Sequence, residues 1–348
     1  MQRTGRGSRA VDQHNGVIHN LKPRAPRNRT LTCTGEEQSS LERRLLRLDS
    51  PCSVDFLVNR IVNQDFFSAV PFLPHGFVDL LVLDPPYNLS KDYNGARFKA
   101  KDGDSYCTWF RRVLDLLTPT LASNASIYVC SDWKTSVLLA PILGEVFRVQ
   151  NRITWEREKG RGAKSNWKNN TEDIWFCTRS DEYVFNVDAV KVRRKVITPY
   201  RDASGMPKDW QEEAAGNHRL THPSNIWGDI TIPFWSMPEN TDHPTQKPEK
   251  LIAKLVLASS RPNDFVLDPF LGSGTTAVVC RKLGRRYLGI EQDTEYCCWA
   301  EKRLELADGD ASIQGYADGV FWERNSLGQQ GPHKKAAGGR QTMRLFDE

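Results

Sequence analysis

Stretches of apolar residues that favour β-strands alternate with helix-forming stretches through most of the chain. This alternation is typical of an α/β fold in which a mostly parallel, twisted sheet carries helices on both faces. The predicted strands are Val78–Leu83, Ser126–Cys130, Asn151–Trp155, Asp173–Cys177, Phe265–Leu267 and Tyr287–Ile290. The predicted helices are Thr108–Leu117, Lys250–Ser259, Thr275–Leu283 and Glu295–Leu306.

Both ends of the chain and one internal segment lack this alternation. Residues 1–50 are rich in Arg, Asn, Ser and Thr, which predicts a basic, flexible arm with a short helix near Ser40–Leu48. Residues 190–242 are rich in Lys, Arg, Trp, Pro and Asn and show no clean period. Residues 307–348 mix Gly, Gln, Lys and Ala, which predicts a loosely ordered tail. The alternating pattern therefore belongs to a central domain of residues 51–306.

The composition excludes several classes of protein. With 348 residues and 39% hydrophobic content, the chain can bury a sizeable core. It has no apolar run long enough to span a membrane and no signal-peptide pattern at its start, so we expect a soluble intracellular protein. The eight cysteines are scattered without metal-ligand spacing, so they predict reduced thiols and no metal site. A net charge of +5 is compatible with a polyanionic partner.

One predicted strand ends abruptly in the sequence LVLDPPYN, where Asp84, Pro85, Pro86 and Tyr87 follow the apolar run. An ordinary turn explains this stretch by itself, because proline ends strands and restricts the residue before it. A functional interpretation requires that the rest of the chain supply something on which Asp84 and Tyr87 can act.

A second strand has the same arrangement. The stretch Phe265–Thr276 (FVLDPFLGSGTT) places an acid and a tight glycine loop before a helix. The next strand ends at Glu291, about 20 residues after the loop, which is the spacing at which a carboxylate can bind ribose hydroxyls. The loop is neither a phosphate loop nor a full dinucleotide fingerprint. A nucleoside without phosphates therefore fits it better than a nucleoside triphosphate or a dinucleotide.

These motifs together resemble those of the S-adenosylmethionine-dependent DNA amino-methyltransferases, which methylate adenine N6 or cytosine N4. DPPY at Asp84–Tyr87 resembles their catalytic motif, and DPFLGSGTT at Asp268–Thr276 resembles their glycine loop. HPTQKPE at His243–Glu249, LGRRYLGIE at Leu283–Glu291 and IVNQD at Ile61–Asp65 are similar to further segments of the family. The catalytic motif precedes the glycine loop, which is the order of the β group. The resemblance covers residues 58–306 and implies a Rossmann-like methyltransferase domain.

The resemblance implies a role for each residue of the first motif. The carboxylate of Asp84 and the main-chain carbonyl of Pro85 would accept hydrogen bonds from the target amine, while Pro86 keeps the loop rigid. Tyr87 would offer its ring to the target base, which must be flipped out of the duplex. An acid at the first position usually accompanies adenine, so Asp84 favours N6-adenine methylation over the rival N4-cytosine methylation. The alternative from another class is a catalytically silent DNA-binding subunit.

The resemblance also implies an S-adenosylmethionine site. It places Glu291 on the ribose hydroxyls, Asp65 near the adenine amine, and Gly272 and Gly274 against the methionine part. The other implied cofactor-binding residues are Thr245 and Lys247 for the methionine carboxylate, Phe270 as an aromatic contact, and Asp268. For Lys247 the alternative is a surface charge, and for Phe270 it is a place in the core.

Double-stranded DNA is the implied partner. Residues 190–242, as a target-recognition region, and the loop Lys159–Lys168 interleave Arg, Lys and Trp, which suits DNA contacts. Glu172 is predicted to shape the target pocket, with a buried structural carboxylate as the rival interpretation. The family most often implies a bacterial cytoplasmic enzyme that acts as monomer or homodimer. Its usual context is a restriction-modification system, whose restriction endonuclease acts on the same DNA site, and housekeeping methylation is the alternative.

Overall fold

The described part of the chain is built around one large β-sheet. The computed structural model describes residues 25–94, 96–157, 164–196, 200–211 and 217–323. Its strands are β1 (Arg60–Asn63), β2 (Val78–Leu83), β3 (Lys91–Tyr93), β4 (Ala96–Phe98), β5 (Leu121–Ser131), β6 (Arg148–Glu156), β7 (Thr171–Thr178), β8 (Val192–Lys195), β9 (His218–Thr221), β10 (Ile226–Trp227), β11 (Phe265–Asp268), β12 (Arg286–Glu291), β13 (Tyr316–Ala317) and β14 (Val320–Trp322).

The large sheet has eight strands in the order β1-β12-β11-β2-β5-β7-β6-β10. Neighbouring strands are parallel except at β7, which runs antiparallel to both β5 and β6. The β11–β2 pair is a topological switch point, because β12 follows β11 on one side of the pair and β5 lies beside β2 on the other side. Such a switch point opens a crevice at the carboxyl ends of the strands. Strands β13-β14-β8-β9 form a smaller sheet, and β3 pairs with β4. This confirms the predicted Rossmann-like α/β fold.

The helices cover both faces of the large sheet. They are α1 (Gly35–Glu42), α2 (Val54–Leu57), α3 (Phe66–Ala69), α4 (Gly103–Leu117), α5 (Trp133–Val146), α6 (Glu249–Ser259), α7 (Thr275–Leu283) and α8 (Thr294–Gly309). Short 3-10 helices occupy Val70–Phe72, Thr118–Thr120 and Val187–Val190. All the helices predicted from the sequence are present, and α7 has the predicted bounds because glycines lie at both of its ends.

Strand β2 shows why both faces are covered. Its residues alternate between the two faces, and Leu80 and Val82 join a buried core that includes side chains of α6 and α7. Leu81 and Leu83 join a second core on the opposite face, formed with α4 and α5. Each fully buried side chain of this size stabilises the fold by about 1.5–3 kcal/mol. The strand therefore requires a helical layer on each side.

Helix α5 was absent from the sequence prediction. It carries buried residues such as Leu139 and Ile142 but also exposes Trp133 and Val137, so its apolar residues do not follow one stripe. A proline, Pro141, also lies within it. The helix nevertheless has a clear start, because the carboxylate of Asp132 accepts hydrogen bonds from the first backbone N–H groups.

The packed part of the chain extends further toward both termini than the sequence predicted. The N-terminal helix lies at Gly35–Glu42 instead of Ser40–Leu48, because a reciprocal capping box between Thr34 and Glu37 fixes its start. Leu31 and Leu48 are buried, so residues 25–50 pack against the domain. At the other end, β14 pairs with β8. The rest of the two predicted tails, residues 1–24 and 324–348, lies outside the described residues.

The segment of residues 190–242 contributes β8, β9 and β10, and its other described residues are largely irregular, as its sequence predicted. A buried ion pair anchors it to α6, since Nζ of Lys254 lies 2.8 Å from the carboxylate of Asp229. Within the described ranges, every helix is too short or too polar to cross a membrane.

Candidate active site

A cleft of about 380 Å³ opens at the carboxyl edge of the large sheet, beside the β11–β2 switch point. Strands β2, β11 and β12 end there side by side, so Asp84, Asp268 and Glu291 are brought to one edge. The cleft is lined by these residues predicted from the sequence: Asp65, Asp84, Pro85, Pro86, Tyr87, Thr245, Lys247, Asp268, Phe270, Gly272 and Glu291.

Gly274 is the one predicted cofactor-binding residue that does not line this cleft. It has φ of +86°, and a Cβ built on it would lie 2.3 Å from Cβ of Ala300 in α8. Its lack of a side chain is thus required for the close approach of the glycine loop to α8. Helix packing by itself accounts for this glycine, and the cofactor contact suggested by the family spacing stays a prediction.

The motif Asp84–Tyr87 forms a tight cluster of hydrogen bonds. The hydroxyl of Tyr87 lies 3.0 Å from Oδ1 of Asp84 and 3.1 Å from Oε2 of Glu172. Burial, then the carboxylates of Asp84 and Glu172, raise the pKa of Tyr87 well above its ordinary value, so its hydroxyl stays a donor. The hydroxyl of Tyr106 donates to the carbonyl of Pro86 at 2.9 Å, which fixes the loop from below.

The ammonium of Lys247, which was predicted to contact the cofactor, also belongs to this cluster. Its Nζ lies 2.6 Å from Oδ2 of Asp84 and 3.4 Å from Oε2 of Glu172. On the other side, the guanidinium of Arg157 lies 2.6 Å from Oε1 of Glu172. The sequence motif gave no indication of Arg157, because its role depends on the pairing of β6 with β7, which brings it beside Glu172.

The opposite half of the cleft is formed by the ends of β1, β11 and β12. Oε2 of Glu291 accepts a hydrogen bond from the backbone N–H of Gly272 at 2.9 Å, and Oε1 accepts one from the N–H of Asp293 at 2.8 Å. Burial raises the pKa of Glu291 above its ordinary value. The rings of Phe66 and Phe270 stack with centroids 5.0 Å apart and form an aromatic wall. This half of the cleft combines an oriented carboxylate with a flat apolar surface.

Asp268 organises the glycine loop itself. Its carboxylate accepts hydrogen bonds from the N–H of Phe270 at 3.1 Å and the hydroxyl of Thr276 at 2.5 Å. Burial raises the pKa of Asp268 to about 7. The carboxylate therefore fixes the loop between β11 and α7 while it lines the cleft.

Comparison with known proteins identifies the family. The family model described as DNA methylase, for N6 and N4 methyltransferases, matches residues 78–302. The chain is 32% identical over 254 residues to the DNA adenine methyltransferase YhdJ of Escherichia coli (strain K12), covering 71% of this chain and 83% of that protein. This chain belongs to the N6/N4 DNA methyltransferase family.

Further similarities agree with this assignment. The methyltransferase is 31% identical over 249 residues to the type II methyltransferase M.HpaI of Haemophilus parainfluenzae, covering 71% of this chain and 74% of that protein. Among solved structures, the PvuII DNA methyltransferase, which is cytosine-N4-specific, superposes with a TM-score of 0.54 at 17% identity. That match covers 70% of this chain and 85% of the PvuII chain, and it shows the shared fold.

The structure describes only part of the segments predicted to contact DNA. Residues 159–163 of the predicted loop lie outside the described residues, while Trp167 near the end of that loop is 94% exposed. In the smaller sheet, Arg194 lies 3.8 Å from Glu323, and Arg219 lies 3.4 Å from Asp209. These basic side chains are available at the surface but are partly balanced by acids.

His243 is a site residue that sequence reasoning did not single out. A Cβ built on Gly272 would lie only 3.0 Å from Nε2 of His243, so the imidazole ring packs directly against the glycine loop. Burial, then the positive charges of Lys247, Lys91 and Arg303, lower the pKa of His243 to about 3. The imidazole is therefore neutral in the folded methyltransferase at every pH near neutrality.

This neutral histidine predicts a loss of stability in acid. Below about pH 6.5 the unfolded chain protonates His243 while the folded chain does not, so stability falls by up to about 1.4 kcal/mol per pH unit. A His243→Gln variant is expected to lack this contribution. Urea denaturation at about pH 7 and about pH 5.5 should show a smaller acid loss in the variant, by about 1 kcal/mol. Equal losses in both proteins would contradict the prediction.

Proposed function

We propose that this protein is a site-specific DNA methyltransferase that transfers a methyl group from S-adenosylmethionine to the N6 amine of adenine in duplex DNA. The observation that carries the proposal is the arrangement of the cleft. Asp84 and Tyr87 at the end of β2 share it with Glu291 and Gly272 near the end of β12. A flipped base and a nucleoside cofactor can thus meet in one cavity. The family assignment and the name of the Escherichia coli relative support the same reaction.

The residues of the cleft fit S-adenosylmethionine. Gly272 lines the cleft beside Glu291, and the Phe66–Phe270 pair offers a flat surface to an adenine ring. The carboxylates of Asp65 and Glu291 can accept hydrogen bonds from amine and hydroxyl groups, and they suit a cationic ligand better than a phosphate. When bound, the cofactor supplies an electrophilic methyl group on a sulfonium.

The chain's own residues would prepare the target amine. The lone pair of an adenine amine is delocalised into the ring, so acceptors are needed to localise it on nitrogen. Asp84 and the carbonyl of Pro85 supply such acceptors, held by the rigid Pro85-Pro86 turn. Cys130 also lines the cleft, but burial and then the carboxylate of Asp84 raise the pKa of its thiol well above the ordinary value. Direct displacement therefore suits the cleft better than a covalent cysteine route.

The deciding experiment identifies the methylated base. The protein is incubated with S-adenosylmethionine labelled in the methyl group and with mixed bacterial duplex DNA, and the DNA is digested to nucleosides. Labelled N6-methyladenine is the expected product. N4-methylcytosine would overturn the inference, drawn from Asp84, that the target base is adenine. It is the second candidate product because the PvuII enzyme of the same fold is cytosine-N4-specific. An absence of label despite measurable cofactor binding would favour a silent DNA-binding subunit.

We further propose that the enzyme serves a restriction-modification system, in which a restriction endonuclease acts on the same site. The relatives named type II methyltransferases support this context. Sequencing of methylated plasmid DNA should show one fixed sequence around every modified adenine. Methylation without a fixed sequence would contradict a modification role.

Removal of the Glu291 carboxylate tests the cofactor half of the site. Glu291→Ala is expected to raise the Kd for S-adenosylmethionine about 10- to 100-fold, because a hydrogen bond to a charged group is worth about 1.5–3 kcal/mol. Isothermal titration calorimetry measures the Kd. Glu305→Ala, which removes a half-exposed carboxylate of α8 paired with Arg44, is the matched control and should bind normally. A Kd for Glu291→Ala within about threefold of the wild-type value would remove Glu291 from the site.

A further inference from the structure

We propose that Lys247 is a positioning residue for the catalytic carboxylate, instead of a ligand of the cofactor's carboxylate. The inference rests on the proposed function, since it concerns how Asp84 is held for methyl transfer. It is drawn from the contacts of the Lys247 ammonium, which lie on the Asp84 side of the cleft.

The ammonium has three hydrogens and three acceptors around it. Nζ lies 2.6 Å from Oδ2 of Asp84, 3.1 Å from the hydroxyl of Tyr87 and 3.4 Å from Oε2 of Glu172. The side chain is 7% exposed, so water competes little for these donors. An ammonium can donate three hydrogen bonds, and this one is surrounded by the catalytic motif and Glu172.

The position of Lys247 is fixed from both sides. Its backbone carbonyl accepts a hydrogen bond from the hydroxyl of Thr275 at 3.0 Å, which ties it to the start of α7. The next residue, Pro248, caps the start of α6. Lys247 thus links the start of α7, which follows the glycine loop, to the catalytic motif. A shift of either element would move the ammonium away from Asp84.

The charges in the cluster explain why Asp84 needs this cation. Burial alone would lower the pKa of Lys247, but the carboxylates of Asp84 and Glu172 outweigh it and raise the pKa above its ordinary value. The lysine therefore stays charged. Glu172 has a second cation in Arg157, at 2.6 Å. The ammonium contact at 2.6 Å is the shortest that Lys247 makes, and it goes to Asp84.

Orientation of the carboxylate follows from these contacts. Lys247 binds Oδ2 of Asp84 and the hydroxyl of Tyr87 binds Oδ1, so the carboxylate cannot rotate freely. Each carboxylate oxygen has two lone pairs and keeps one for an incoming amine. Lys247 thereby holds the carboxylate of Asp84 in a fixed orientation, and it need not touch either substrate.

The test separates turnover from cofactor binding. In Lys247→Met, kcat at saturating DNA and S-adenosylmethionine is expected to fall on the order of 100-fold, while the cofactor Kd stays within about threefold. Lys247→Arg keeps the positive charge, so its kcat should be at least about tenfold higher than that of Lys247→Met. Lys302→Met is the matched control, since it removes a partly buried lysine of α8 that pairs with Glu37 away from the cleft.

Each outcome decides between distinct explanations. A cofactor Kd raised about tenfold or more with kcat preserved would overturn the proposal and make Lys247 a cofactor ligand. An equal loss of kcat in Lys302→Met, measured per folded molecule, would show that the effect is general destabilisation. If Lys247→Met fails to fold, Lys247→Gln replaces it, and its kcat must fall below that of Lys247→Arg. Absence of turnover in the wild-type enzyme would instead overturn the proposed function.

Discussion

An Asp84→Ala variant is expected to methylate DNA about 1000-fold more slowly than the wild-type enzyme, with its Kd for S-adenosylmethionine within about threefold. The carboxylate of Asp84 lies in the cleft, 21% exposed, with Lys247 and Tyr87 holding its two oxygens. Alanine removes the acceptor that localises the lone pair of the target amine. It also leaves the buried ammonium of Lys247 with Glu172 as its remaining carboxylate partner at 3.4 Å.

Single-turnover kinetics with labelled cofactor measure the loss in the chemical step, and calorimetry measures the cofactor Kd. Asp115→Ala removes an exposed carboxylate of α4 and is the matched control, with wild-type rate and affinity expected. A rate for Asp84→Ala within about tenfold of the wild-type rate would show that Asp84 is not the acceptor. A loss of cofactor affinity as large as the loss of rate would move Asp84 into the cofactor site.

The elements that the sequence predicted well are those with a local signal. Strands β2, β11 and β12 are short and largely apolar, and each ends at an acid or just before one. Such strands are typically buried on both faces. Helix α7 begins and ends at glycines with positive φ, so its bounds could be predicted from the sequence. Because parallel strands end at one edge, the meeting of Asp84 with Glu291 also followed from the predicted topology.

The contacts that escaped prediction join distant parts of the chain. Lys247 is separated from Asp84 by 163 residues, and no local pattern reveals that its ammonium turns toward that carboxylate. Arg157 reaches Glu172 only through the pairing of β6 with β7. The support of Gly272 by His243 likewise depends on how the segment before α6 folds under the glycine loop.

Gly274 has a packing role that its family motif does not reveal, and it gives the second large prediction. Gly274→Ala is expected to destabilise the fold by about 2–5 kcal/mol. A left-handed conformation costs an L-residue about 1–2 kcal/mol, and overpacking adds about 1–3 kcal/mol. The added Cβ would lie 2.3 Å from Cβ and 2.7 Å from Cα of Ala300, so the backbone of α8 must move. Domains of this kind have a total stability of about 5–15 kcal/mol, so the loss is large.

The measurement is the free energy of unfolding from urea denaturation, with the cofactor Kd determined on the folded fraction. Gly144→Ala in α5 is the matched control, because a Cβ there meets nothing within 4 Å. That variant should gain about 0.4–1 kcal/mol, since alanine restricts the unfolded chain and favours the helix. If Gly274 instead served the cofactor, Gly274→Ala would keep its stability and lose affinity. A loss of stability with normal affinity would assign the second glycine of the loop to helix packing, and would leave Gly272, beside His243 and Glu291, as the glycine that faces the ligand.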